Sequence, residues 1–207
     1  MIAYKFLRSG GVGPFSGYAW PLPPAGRPGA WVVGGAGTEL CQTAVHACRV
    51  RDLPWWLQDE LWEAELDGEV SAGRHKVMAP RARLVRRVEA WDAACAQRFA
   101  DACAGRARDH AVTALDRAGA SEPARALAAC ATPREIRAAV RTGHPPEAAR
   151  IAYTMAGDAA IRALGGAAVV AAYIAAHAAA RVDGDGAMAA ERAWQSDWLR
   201  TELRLDA

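Results

Sequence analysis

Along the first part of the chain hydrophobic positions recur at every second residue, and along the rest at every third or fourth, with the change near Trp91. A period of two belongs to extended strands with one buried face, and a period of about 3.6 to helices. The stretch IAYKFL (2–7) alternates and stops at Ser9-Gly10-Gly11, which predicts an opening strand. GVGPFSGYAWPLPPAGRPG then reads as loop, because its prolines lack donors and its glycines permit turns closed to other residues. AWVV (30–33) is a short strand, followed by a turn at Gly34-Gly35-Ala36-Gly37, whose glycines lack the spacing of a phosphate-binding loop.

If Thr43 to Cys48 is extended, Ala44, His46 and Cys48 share one face, and Val45 and Ala47 the other. LPWWLQD predicts a short helix or turn capped by Asp52, with Pro54 at an early helical position. In LWEAELDG, Trp62, Ala64 and Leu66 point one way and Leu61, Glu63 and Glu65 the other, with a turn at Asp67-Gly68. PRARLVRRV places Leu84 and Val88 on one face and Arg81, Arg83, Val85 and Arg87 on the opposite one. Pairing of these arginines with Glu63 and Glu65 makes a solvated, charge-matched surface.

From about Val88 the chain turns helical. Trp91, Cys95, Phe99 and Cys103 fall at steps of four, a buried stripe on one long helix reaching Leu115. Ser121 and Thr132 are expected N-caps. Thr132 is followed by Pro133 and by Glu135 at the capping-box position. Two more helices close on glycine, and a last one, about 185–206, carries Trp194 and Trp198 one turn apart. Tyr173, His177 and Arg181 follow at helical spacing, with Tyr173 and His177 on one face and His177 read as a hydrogen-bonded interior or rim residue. Abundant alanine favours helix and permits close interhelical approach. The expected fold is therefore α+β: a small, mostly antiparallel sheet domain over 1–90 and an Ala-rich helical bundle over 91–207.

At 207 residues, 52% hydrophobic and 23% charged, the chain can bury a genuine core. A net charge of +2 with both signs interspersed gives no reason to expect a nucleic-acid partner. The most apolar run, GGAAVVAAYIAAHAAAR, is alanine-dominated and contains His177, so it reads as a buried helix and no membrane partner is expected. The start has no secretory pattern, and five cysteines make no disulfide framework, so the expected location is the cytoplasm.

Candidate chemistry centres on Cys41, His46 and Cys48. These are ligand types that zinc accepts, with His75, Asp52 or Cys95 as a fourth, but the spacing is not that of paired knuckles, and no metal site is assigned. Alternatively Cys48 is a nucleophile activated by His46, or His46 is an acid, base or ligand-orienting donor with Tyr4, Lys5 or Glu65 nearby. In the plainest alternative His46 satisfies a backbone carbonyl and the cysteines pack. The candidate catalytic residues are thus His46, Cys48 and Glu65, and the candidate ligand contacts Tyr4, Lys5 and Trp62. No cofactor is identified.

The segments AYKFL, FSGYAWPLP, ELCQTAVHAC, DLPWWLQDELWEAELDGE and RARLVRRVEAW, within residues 1–91, resemble an uncharacterised domain family of phage and bacterial proteins. The resemblance implies a shared fold and site around Cys41, His46 and Cys48, but no reaction. This chain departs from the family at Ala44, usually glycine, and at Val45, usually aromatic. A fainter, fold-level likeness is to ADP-ribosyltransferase-type domains, in which Glu65 would be the candidate catalytic acid. Two functions are expected from this reading: a small-molecule or group-transfer enzyme with a site around His46 at the joint between the two domains, or a non-catalytic binding protein in which Cys41, His46 and Cys48 are structural or bind zinc.

Overall fold

The computed structural model describes residues 1–35 and 44–205. Cys41 and Thr43 lie outside the described residues, as does the end of the turn expected at Gly34–Gly37. The protein is α+β, with two small antiparallel sheets followed by an Ala-rich helical part. It divides into two compact units, Met1–Ala93 with Leu199–Ala207, and Ala94–Trp198.

In the first unit, β1 (Ile2–Leu7), β4 (Glu60–Asp67), β7 (Arg81–Arg87) and β2 (Val32–Val33) form a sheet in the order β1-β4-β7-β2. A second sheet has the order β3-β6-β5, from β3 (Val45–Ala47), β6 (Lys76–Ala79) and β5 (Ser71–Gly73). All pairings are antiparallel. The sheets meet where Tyr4 and Cys48 exchange backbone hydrogen bonds of 2.8 and 2.7 Å. The predicted alternation holds in β4: Trp62, Ala64 and Leu66 are buried in one core with Ala3, Leu7, Ala82 and Leu84 from their own sheet and Val45, Ala47, Val77 and Ala79 from the other.

Leu61, assigned by period to the side of Glu63, is fully buried, because it pairs with Phe6 where the edge-on ring of Trp91 stands 5.4 Å from Phe6. Trp91 precedes the first helix rather than starting it, and its indole donates to the Gln58 carbonyl at 2.8 Å. The charge-matched face forms between β4 and β7, with Arg81 on Asp67 at 2.5 Å, Arg83 on Glu65 at 2.6 Å and Arg86 on Glu63. Arg86 replaces the expected residues of its face because a bulge opposite Glu63/Ala64 leaves Val85 without a partner and shifts the register. Asp52 does not cap the short helix. Arg49 occupies that position ahead of a 3₁₀ turn, Val50–Trp55, and the Asp52 carboxylate reaches back to its backbone N–H at 3.2 Å and its guanidinium at 2.5 Å.

The helices are α1 (Ala93–Arg117), α2 (Ser121–Ala128), α3 (Pro133–Thr142), α4 (Glu147–Leu164), α5 (Ala168–Asp183) and α6 (Asp185–Leu203). Cys95, Phe99 and Cys103 are buried on one stripe of α1, continued by Ala107, Ala111 and Leu115. The capping box at Thr132 and Glu135 forms as expected. Ser121 does not cap: Ala120 holds the N-cap position and Ser121 is the first helical residue. The α6 tryptophans engage α1, Trp198 against Phe99 at 5.1 Å and Trp194 under the Arg106 guanidinium at 5.0 Å. Beside them the buried Glu191 carboxylate accepts from Arg106 at 2.8 and 2.9 Å, with His110 at 3.3 Å and the Gln195 amide at 3.4 Å. Tyr173 and His177 share a face, rings 4.1 Å apart. Among the described residues, no helix is long and apolar enough to cross a membrane.

Candidate functional site

Backbone pairing creates the site. β1 uses one edge for β4 and, through Tyr4, touches Cys48 at the end of β3, so both sheets contribute to the wall of a cavity of about 730 Å³. Further wall comes from the Gly- and Pro-rich loop after β1, which brings Phe15, Tyr18 and Trp20 to the cavity, from Gly34, Gly35 and Ala44, and from Trp56 beyond the 3₁₀ turn. Every described lining residue belongs to the first unit. Apolar and aromatic groups dominate, and among the described residues Lys5, Lys76 and His46 are the ionisable bases that line it. Among the described residues no aspartate or glutamate lines it.

The loop is held by local bonds and one buried acid. Gly13 donates to the Tyr18 carbonyl at 2.8 Å and Trp20 to the Gly11 carbonyl at 3.0 Å. The Glu60 carboxylate accepts from Gly10 and Gly11 at 3.1 and 3.2 Å and from the Trp62 indole at 3.0 Å. Gly11 has φ +75°, a left-handed conformation that favours glycine. Edge-on pairs of Phe15 with Trp56 (6.0 Å) and Tyr18 with Trp20 (6.2 Å) order the aromatic wall.

Lys5 is the chemically distinctive group. It follows Ala3 and precedes Leu7 on the inward face of β1, which carries an amine into an apolar neighbourhood. Its ammonium donates to the His46 backbone carbonyl at 2.6 Å and stands 4.6 Å from the centre of the Trp20 ring. Burial lowers its pKa to about 8, partly opposed by the nearby Cys48 sulfur. A carbonyl dipole and a ring face thus stabilise the charge in place of a carboxylate. The chain has only two lysines against 23 arginines, and both lysines line this cavity.

The expected site residues separate into two groups. Tyr4, Lys5, His46 and Cys48 are brought together at the cavity. His46 is half-buried on β3 opposite Met78. Cys48 is a buried thiol whose Sγ donates to the Tyr4 carbonyl at 3.2 Å, and burial pushes its pKa up to about 12, the reverse of what a thiolate nucleophile needs. Glu65 and Trp62 lie elsewhere. Glu65 is held by Arg83 on the charged face of the first sheet, and Trp62 is packed in the core with its N–H on Glu60. His75 stacks on Trp55 at 3.9 Å. Among the described residues no three His, Cys, Asp or Glu side chains are grouped to hold a metal, and Cys41 lies outside them.

The sequence reading missed Lys76, Trp56 and the loop aromatics. Three aromatics within six residues of a Gly/Pro-rich loop, Phe15 to Trp20, were the available signal, since exposed turns seldom concentrate such side chains. Compared with family models, with curated proteins and with solved structures, the chain finds no match.

Proposed function

We propose that the first unit binds a small aromatic carboxylate in the cavity beside Lys5. One observation carries the reading: a half-buried ammonium, without a carboxylate partner among the described residues, opens on a cavity walled by Phe15, Tyr18, Trp20 and Trp56. A cavity of about 730 Å³ is of the size that small-molecule sites have, mostly apolar with a few placed polar groups. An ammonium removed from water gains most from an anion that enters with it, and the aromatic walls favour a planar apolar body. Lys76 adds a second cation on β6.

This reading favours binding over the group-transfer chemistry expected around His46. The Cys48 thiol is held protonated by burial, and Glu65 is engaged with Arg83 away from the cavity. Trp20 and Trp56 supply an intrinsic probe. Titration with mandelate is expected to change tryptophan fluorescence saturably, and Lys5→Met is expected to weaken binding by about tenfold, the worth of one charge-assisted hydrogen bond. Absence of saturable binding to the wild-type protein, or equal affinity in Lys5→Met, refutes the proposal.

A further inference from the structure

Lys5 has the setting of a reactive amine, beyond that of a counter-ion. For charge alone this chain uses arginine: the surface ladder on Asp67, Glu65 and Glu63 and the buried contact to Glu191 are all arginine. Its only two lysines both line the one cavity described above. The two cations differ in a way that bears on this placement, because a guanidinium stays protonated at any accessible pH whereas an amine can lose its proton and attack. Lys5 sits on a strand, paired on β4 through Trp62, with its Nζ fixed by the His46 carbonyl at 2.6 Å and by the Trp20 ring at 4.6 Å. That is a positioned amine inside an apolar cavity, the environment in which lysine acts as a nucleophile towards carbonyl compounds.

We propose that the Lys5 amine condenses with the ketone of an aryl 2-oxo acid bound in this cavity, forming an imine. This rests on the binding reading above and narrows its ligand class. In the step the neutral Nζ lone pair attacks the carbonyl carbon, the C=O π electrons move to oxygen, and the oxygen takes up the two protons that the nitrogen gives up and leaves as water. The C=N bond replaces the C=O bond, one amine and one ketone give one imine and one water, and nothing is oxidised or reduced. Protonated, the imine nitrogen keeps the positive charge beside Trp20. With the pKa at about 8, about a quarter of Lys5 is uncharged at pH 7.5, against roughly one part in a thousand for an ordinary lysine.

The test uses the full chain with two probes of one shape, phenylglyoxylate, which has the ketone, and mandelate, which has a hydroxyl in its place. Each is titrated by tryptophan fluorescence. Each is then incubated with the protein and sodium borohydride, and the modified peptide is located by mass spectrometry. The expected result is saturable binding of both, with a reduced adduct from phenylglyoxylate alone, on Lys5, and lost in Lys5→Arg. Binding of both with no adduct overturns the imine and leaves the binding site standing. An adduct confined to Lys76 or to the Met1 amine overturns the assignment to Lys5. Failure of both probes to bind overturns the imine and the binding proposal together.

Discussion

Replacing Lys5 by methionine should make the first unit more stable at neutral pH. Lowering the pKa from 10.5 to about 8 means that the folded protein bears a cost of about 3 kcal/mol for keeping this ammonium charged. Methionine in turn forfeits about 2 kcal/mol, from the hydrogen bond to the His46 carbonyl and the contact with the Trp20 ring. Lys5→Met is therefore expected to gain about 1 kcal/mol at pH 7, whereas most point substitutions lose about that much.

The pH dependence gives the sharper check. A lowered pKa means that the unfolded chain binds more protons than the folded one between about pH 8 and 10.5, so the Lys5 contribution to stability is complete above 10.5 and is lost as pH falls through about 8. The advantage of Lys5→Met is thus constant below pH 8, shrinks by about 1.4 kcal/mol per pH unit above it, and reaches zero near pH 9. The Cys48 thiol, raised to about 12, works in the opposite sense above pH 9; losing the Lys5 charge pushes it higher still, so the folded thiol stays protonated in both proteins up to pH 9.5 and drops out of their difference over that range. Urea unfolding at several pH values between 7 and 9.5, followed by tryptophan fluorescence, measures the difference, and six of the eight tryptophans lie in residues 1–93. A variant that is less stable at pH 7, or a difference that stays flat across the range, refutes the claim that the Lys5 ammonium is held out of water.

Two further outcomes follow from buried groups. Cys48 is expected to resist iodoacetamide at pH 7.5 in the native protein and to react once urea is added, as read by peptide mass spectrometry, because its thiol is buried and raised to about 12; rapid native labelling would restore the nucleophile reading. Glu191→Gln is expected to destabilise the helical unit by about 3 kcal/mol in urea unfolding at pH 7 monitored by circular dichroism, because it leaves Arg106 facing a neutral partner in a buried site. Burial pushes the Glu191 carboxyl up and the hydrogen bonds from His110 and Arg106 more than reverse this, so its contribution is complete above the unfolded value near pH 4.3 and is lost as pH falls through the lower folded one. The gap between variant and wild type should accordingly narrow in acid.

Elements with a long period and a distinctive end were legible in the sequence. β1 and β4 alternate over six and eight residues, and the capping box at Thr132 names a helix start by chemistry rather than by hydropathy. What escaped was short or depended on register. β5 and β6 have three and four residues, too few to show a period, and yet their hairpin supplies Lys76. The bulge at Val85 cannot be inferred from alternation, because one extra residue exchanges the faces of everything after it; this is why Arg86, and not its neighbours, meets Glu63. Asp52 stands three residues after Arg49 and reaches back to it, so an aspartate that reads as a cap serves inside the turn instead.

For the site, residue type and residue placement pointed in different directions. A histidine beside a cysteine draws the eye as a catalytic pair, but nucleophilicity belongs to the environment: the same burial that gathers Cys48 with His46 pushes its thiol up towards 12 and removes the thiolate. Burial acts on an amine in the reverse sense, lowering Lys5 towards neutrality and so creating the uncharged form that chemistry would use. The period of two already set Lys5 between Ala3 and Leu7 on the inward face of a strand. A lysine there has a cost that arginine, with its permanent charge, could not shed by losing a proton, and one of this chain's two lysines occupies that position. The informative signal was therefore the mismatch between an amine and its apolar strand face, a cost in stability that the His46 carbonyl and the Trp20 ring only partly return.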